Sequence, residues 1–262
     1  MKIIDFHAHA FPPKIADKAI EQLAYHYQLH ITNQGTLDHL LASADEAGVD
    51  KIVLHAAATN PDQVRATNEW IAARCSGRII GFGSMHADFP DYKQELDRMQ
   101  VMGLTGIKLH AEFQDFPIDD PRMWPVYEAI GDRFLVMIHV GDRHSDYSSP
   151  RRLARVLDTF PGLKVIAAHL GGWSDWDNAR RSVLGRDLYV DTSSCTWALP
   201  PEKVAELIRT HGVDRVLFGT DYPVTSHRDE IMRFMELPLS PEEKEKVLRK
   251  NAEGLLKKFT EI

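Results

Sequence analysis

His7 and His9 sit two apart at the end of the apolar run Ile3-Ile4-Asp5-Phe6-His7-Ala8-His9. On a β-strand the side chains alternate between faces, so these two imidazoles project from the same side. Two imidazoles on one face can share a metal ion, and imidazole suits zinc and its first-row neighbours. Taken alone, the pair also fits a half-buried strand carrying two surface histidines. The rest of the chain supplies further ionisable groups at matching places.

Those groups recur where apolar runs end. His55, His86, His110, His139, His169 and Asp221 close the runs 51–55, 78–86, 104–110, 134–139, 163–169 and 215–221, and a seventh apolar run spans 188–193. The intervening segments read as helical: 14–47 with a break at Asn33-Gln34-Gly35, then 61–75, 91–102, 122–131, 150–160, 174–184 and 201–211. Further helices start at Arg228 and Pro241. Eight strands, each followed by a helix, specify a parallel sheet buried on both faces. An open doubly wound sheet competes, but a count of eight favours closure into a single-domain (β/α)8 TIM barrel spanning residues 1–262, because closure leaves no edges. In a barrel all these strand ends open onto one mouth, where this fold carries its catalytic residues.

Composition excludes several other functions. Hydrophobic residues make up 44% and charged residues 26%, which provides a sizeable core. A net charge of −7 argues against a broad nucleic-acid surface. The opening apolar run is short and broken by Asp5, His7 and His9, unlike a signal peptide, and no run reaches the length of a membrane span. Cys75 and Cys195 have no paired spacing, so neither a disulfide scaffold nor a structural zinc site is expected, and a cytoplasmic protein is the default. His26 and His30, four apart, would share a helical face without a third ligand nearby, which suits a surface or lid role.

Asp5-Phe6-His7-Ala8-His9, Met137-Ile138-His139, Ala168-His169-Leu170-Gly171-Gly172 and Gly219-Thr220-Asp221-Tyr222-Pro223 together resemble the amidohydrolase superfamily, in their order and in the strands they end. The similarity covers essentially the whole chain. It points to the branch that includes aminocarboxymuconate semialdehyde decarboxylase. The resemblance implies that His7, His9, His139 and Asp221 ligate one divalent metal, most often zinc, with manganese or another first-row ion as alternatives. It also implies that His169 acts in acid–base chemistry beside that metal, with Asp221 able to accept a proton from a metal-activated water. Some amidohydrolases carry a carboxylated lysine that bridges two metals. Lys108 lies two residues before His110 on the fourth strand, but the branch resembled here generally uses one metal, so a mononuclear site is expected. Lys108 and His110 are then candidates for contacting substrate.

In the loop after the fifth strand, Arg143 is placed to meet a substrate carboxylate with bidentate hydrogen bonds, or to stand exposed. Trp173, after His169, offers an aromatic wall or a packing contact. Cys195, Ser193 and Ser194 lack the surroundings of a nucleophile.

These residues support a metal-dependent enzyme acting on a small organic, carboxylated or cyclic substrate. Hydrolysis by a metal-activated water is the broader reading, and non-oxidative decarboxylation is the alternative. A non-catalytic ligand-binding barrel would have lost ligand positions, and none is lost. A phosphate-binding barrel would need a glycine-rich cradle that Thr220-Asp221-Tyr222-Pro223 does not offer. A homodimer is a fair expectation.

Overall fold

The computed structural model describes residues 2–260. Eight parallel strands are hydrogen-bonded in chain order: β1 (Ile4–His9), β2 (Lys51–His55), β3 (Ile79–Ser84), β4 (Gly106–Leu109), β5 (Leu135–Ile138), β6 (Lys164–Ala167), β7 (Tyr189–Asp191) and β8 (Val216–Leu217). The ring closes through backbone bonds from Phe6 N–H to Phe218 O at 2.8 Å, Asp221 N–H to His7 O at 2.7 Å and His9 N–H to Tyr222 O at 2.7 Å. The structure is therefore a (β/α)8 barrel, the closed alternative that a count of eight strands favours over an open sheet.

Continuous apolar runs such as Leu135-Val136-Met137-Ile138 are buried because both faces of a parallel sheet are covered. Ile4, Phe6, Val53, Phe82, Leu135, Met137, Ile166 and Leu217 form an inner cluster, which is joined by Leu255 and Leu256 of the last helix, Asn251–Thr260. A larger cluster lies between strands and helices. The covering helices carry the expected punctuation. Pro201 opens the helix Pro201–His211, which ends at Gly212 and buries Val204, Leu207 and Ile208.

Two departures from regularity position the site. First, β1 shifts register against β2 between Asp5 and Ala8. Ile4 and Phe6 join the inner cluster, whereas Ala8 and Ala10 join the outer one. The bulge thus inverts the alternation and turns His7 and His9 into the mouth, a known use of bulges beside active sites. Second, the β1-to-β2 connection carries helices α1 (Pro13–Tyr27) and α2 (Leu37–Glu46), and α1 lies across the mouth. It stops at Gln28, which adopts φ 53°, so His30 lies beyond the helix and does not share a face with His26. His26 instead pairs with Asp142 at 2.8 Å, tying the end of α1 to the loop after β5.

Candidate metal centre and active site

His7 and His9 arrive from β1, and Asp221 from the turn after β8. Their donor atoms lie close together: His7 Nε2 is 3.1 Å from His9 Nε2, and Asp221 Oδ1 is 3.6 and 3.5 Å from the two nitrogens. Ligand atoms about 2.1 Å from a common ion are ~3.0–3.4 Å apart, so these separations suit one cation.

The hydrogen bonds behind the rings fix what those atoms are. His7 Nδ1 donates to Asp191 Oδ2 at 2.8 Å, and His9 Nδ1 donates to the His55 carbonyl at 3.3 Å. Both Nε2 atoms are therefore lone pairs, and with a carboxylate oxygen they make three acceptors facing one another. Such a cluster calls for positive charge at its centre, and its donors fit a divalent first-row ion. Burial, followed by the charge of Lys108, drives the pKa of His7 well below the ordinary imidazole value and keeps its ring neutral. Lys108 Nζ lies 3.0 Å from His7 Nε2. Burial lowers the lysine to about 8, against the attraction of Asp221 and Asp191.

His139 stands apart from this trio. Its Nε2 meets the Gly141 carbonyl at 2.8 Å and its Nδ1 faces His169 Nε2 at 3.0 Å; its ring stacks on His110 with centroids 4.0 Å apart. The cluster of potential ligands that contains it is His110, Glu112 and His139 rather than His7, His9 and Asp221. His169 donates from Nδ1 to the Ser193 carbonyl at 3.0 Å, so its Nε2 is the atom directed at His139. Burial lowers the pKa of His139 well below its ordinary value.

Asp221 and His169 share an unusual backbone. Their φ angles are +60° and +59°, in the left-handed region that residues with a side chain seldom occupy. Each is held there by hydrogen bonds: Asp221 N–H donates to His7 O at 2.7 Å, and His169 N–H donates to Asp191 Oδ1 at 3.1 Å. Asp221 Oδ2 accepts from Ser194 Oγ at 2.7 Å.

Above these groups is a cavity of about 140 Å³. His7, His9, Lys108, His110, His139, His169 and Asp221 line it, and Leu23 and Tyr27 of α1, Phe113 and Trp173 supply apolar walls. Trp173, for which sequence leaves a wall or a packing role open, is among the lining side chains. Arg143 is exposed and outside the lining, with its guanidinium 5.8 Å from the Trp173 ring centroid.

Sequence reasoning did not single out four residues that shape the site. Asp191, at the end of β7, holds both His7 and the His169 backbone. Asp5 accepts from the backbone N–H of His7 and of Thr220, each at 3.0 Å, and from Thr220 Oγ1 at 2.6 Å, fastening β1 to the turn that bears Asp221. Tyr27 places its hydroxyl 2.9 Å from His110 Nε2 and 3.3 Å from His139 Nε2. Burial, then the charge of Glu112, raises the Tyr27 pKa well above the usual phenol value, so it stays protonated. Glu112 itself is held below the ordinary carboxylate value: burial opposes ionisation, but the neighbouring His110 ring and the Ser148 hydrogen bonds outweigh it.

A barrel with imidazole and carboxylate donors converging at its mouth defines a class, the metal-dependent barrel enzymes. The chain belongs to the amidohydrolase family, whose profile (Amidohydro_2, Amidohydrolase) matches residues 4–258. It is accordingly an enzyme, a metal-dependent hydrolase or carboxy-lyase. Decarboxylase orsB of Emericella nidulans is 32% identical over 126 residues, a match spanning 40% of this chain and 37% of that protein. The uncharacterised TIM-barrel protein Bb4693 of Bordetella bronchiseptica superposes with a TM-score of 0.76 at 25% identity, over 98% of this chain and 99% of that one. A 5-carboxyvanillate decarboxylase of Novosphingobium aromaticivorans, complexed with manganese and 4-hydroxy-3-methoxy-5-nitrobenzoic acid, gives a TM-score of 0.71 at 16% identity, covering 97% and 96%. Among the described residues no helix is long and apolar enough to cross a membrane.

Proposed function

We propose that this enzyme is a non-oxidative decarboxylase of a small, single-ring carboxylic acid. The observation that carries the reading is the cavity of about 140 Å³, with aromatic and aliphatic walls over a floor of lysine, imidazoles and carboxylate. A dry cavity of ~150 Å³ accommodates benzene, so this one suits one ring with its charged group directed at the floor. Sequence alone leans towards hydrolysis. The relative orsB and the carboxyvanillate enzyme are both named as decarboxylases, and that favours carbon–carbon cleavage here.

His7, His9 and Asp221 are the residues that would hold the metal, with His139 the fourth candidate. The bound ion would supply positive charge to fix the substrate carboxylate and lower the charge build-up at the reacting carbon. Lys108, 3.0 Å from His7, adds a second positive group on the floor for the same anion. The α1 residues Leu23 and Tyr27 cover the cavity and limit water beside the ring. His169, whose Nδ1–H donates to the Ser193 carbonyl, gives the transferable proton from Nε2 in its doubly protonated, imidazolium form and returns to the neutral ring. The ring–carboxylate bond breaks, its electron pair stays on the ring carbon, carbon dioxide departs and the His169 proton takes its place. Asp221, a candidate metal ligand on the same floor, is held in place by the hydrogen bond from Ser194 Oγ. Zinc is the expectation from sequence and manganese occupies the carboxyvanillate enzyme; this set of nitrogen and oxygen donors suits either.

The test is incubation of the zinc- and manganese-loaded protein in ¹⁸O-water with hydroxybenzoates, carboxyvanillate and a pyrone lactone. Release of carbon dioxide with no ¹⁸O in the organic product is the expected result. Lactone opening with ¹⁸O incorporation, and no carbon dioxide from any acid, would replace this reading with hydrolysis.

A further inference from the structure

We infer that Tyr27, Glu112 and His110 form a directed hydrogen-bonded chain by which the lid helix selects substrates bearing an O–H or N–H group. The direction of the chain follows from its buried end. His110 Nδ1 and Glu112 Oε2 are both buried, neither makes a hydrogen bond of ordinary geometry, and they face each other at 3.5 Å. The other carboxylate oxygen, Oε1, is anchored by Ser148 Oγ at 2.6 Å, Ser148 N–H at 3.1 Å and Ser145 Oγ at 3.1 Å, which fixes Oε2 towards the imidazole. A lone pair on Nδ1 would face that oxygen acceptor to acceptor in a buried place, so Nδ1 carries the hydrogen.

A neutral ring with hydrogen on Nδ1 has its lone pair on Nε2. Tyr27, 2.9 Å from Nε2, must therefore donate its only hydrogen to His110. The hydroxyl oxygen keeps two acceptor positions. One faces His139 Nε2 at 3.3 Å, whose hydrogen is already directed at the Gly141 carbonyl at 2.8 Å. The remaining position belongs to the cavity that Tyr27 lines. With its donor committed, Tyr27 offers a substrate an acceptor only. A hydroxyl or amino substituent satisfies it, whereas an ether of the same shape leaves two oxygens opposed. A site built to hydrogen-bond a polar group rejects analogues that cannot reciprocate.

The choice of ring acids as probes rests on the decarboxylase reading, but binding is measured without turnover. Manganese-loaded full-length protein is titrated calorimetrically with the three monohydroxybenzoates and the three matching methoxybenzoates. The best hydroxy isomer is expected to bind roughly five- to tenfold more tightly than its methoxy partner, the worth of one hydrogen bond. Tyr27→Phe should bring that ratio close to one. Glu112→Gln can donate an amide hydrogen to His110 Nδ1, which frees Tyr27 to donate, so the preference should vanish or reverse although the phenol is present. No preference in the parent protein overturns the inference. So does an unchanged ratio in both variants, including the case where all ligands weaken equally through damage to the lid. Carbon dioxide assays on the same proteins bear only on the decarboxylase reading: a protein that releases none yet shows these ratios leaves the inference standing.

Discussion

Asp191 Oδ2 lies 2.8 Å from His7 Nδ1, and through its other oxygen the same buried carboxylate accepts the backbone N–H of His169. One side chain at the end of β7 therefore sets the tautomer of a candidate metal ligand and the backbone of the candidate proton donor. Ser193 N–H and Ser193 Oγ also donate to it, which holds it in place. Such outer partners raise ligand basicity, and losing one typically costs 10- to 100-fold in metal affinity. Asp191→Asn is expected to weaken zinc or manganese binding by about that factor, measured by competition with a chromophoric chelator. An affinity equal to that of the parent would show that His7 is oriented by its own strand alone.

Close approach behind β8 produces a second expectation. A Cβ at Gly219 would lie 2.7 Å from His7 Cβ and 3.2 Å from Ser193 Cβ, and neither neighbour has room to yield. Gly219→Ala should destabilise the fold by about 1–3 kcal/mol, as overpacking does, and lower metal content with it. Gly254 lies within the last helix, where an added Cβ meets nothing within 4 Å. Gly254→Ala should therefore stabilise the protein by roughly 0.5–1 kcal/mol and leave the metal unchanged. Urea denaturation paired with elemental analysis separates the two, and equal effects from both substitutions would refute the packing argument.

The barrel was legible because eight apolar runs each need burial on both faces, and a closed parallel sheet provides it. Strand-end histidines pointed to the mouth for the same reason. Other features carry no local signature. The β1 bulge, which aims His7 and His9, leaves no mark in the alternation of residue types. Asp191 is a strand-end acid whose partner lies 184 residues away. Tyr27 belongs to an amphipathic helix, and periodicity cannot separate a face that meets a core from one that meets a catalytic floor. The His26–His30 spacing misled because the chain leaves the helix at Gln28, a residue without the usual preference for a left-handed conformation. Arg143 has the chemistry to hold a carboxylate, but its loop directs it onto Trp173.

Lys108 separates two arrangements of the floor. If it acts as an ammonium beside His7, Lys108→Met should keep the metal and lose roughly 100-fold or more in turnover of whichever acid yields carbon dioxide. The intact mass of the native protein should then match the unmodified sequence. A carbamate on this lysine would instead add the mass of one carbon dioxide and let it join two ions, and Lys108→Met would strip metal from the protein. Native mass spectrometry and elemental analysis on the same samples decide between them.

Glu230 gives a pH dependence unrelated to catalysis. It is fully buried on the helix His227–Glu236, with Oε1 accepting from Thr196 at 2.6 Å and Oε2 3.6 Å from Arg233. Burial pushes its carboxyl up to about 8, against the Thr196 hydrogen bond and the Arg233 charge. In the unfolded chain it titrates near ~4.3. Because the folded value is the higher one, the stabilising contribution is complete below the unfolded value and drains away as pH rises towards 8. The upper bound on that loss, at about 1.4 kcal/mol per unit, is roughly 5 kcal/mol. A glutamine in its place cannot ionise and should still accept from Thr196. Glu230→Gln is therefore expected to match the parent within about 1 kcal/mol at pH 5 and to exceed it by roughly 1–3 kcal/mol at pH 8.5. Urea midpoints at the two pH values provide the measurement. A stability difference between the two proteins that does not change with pH would mean that Glu230 is already ionised in the folded state at neutral pH, held by Arg233 in spite of its burial.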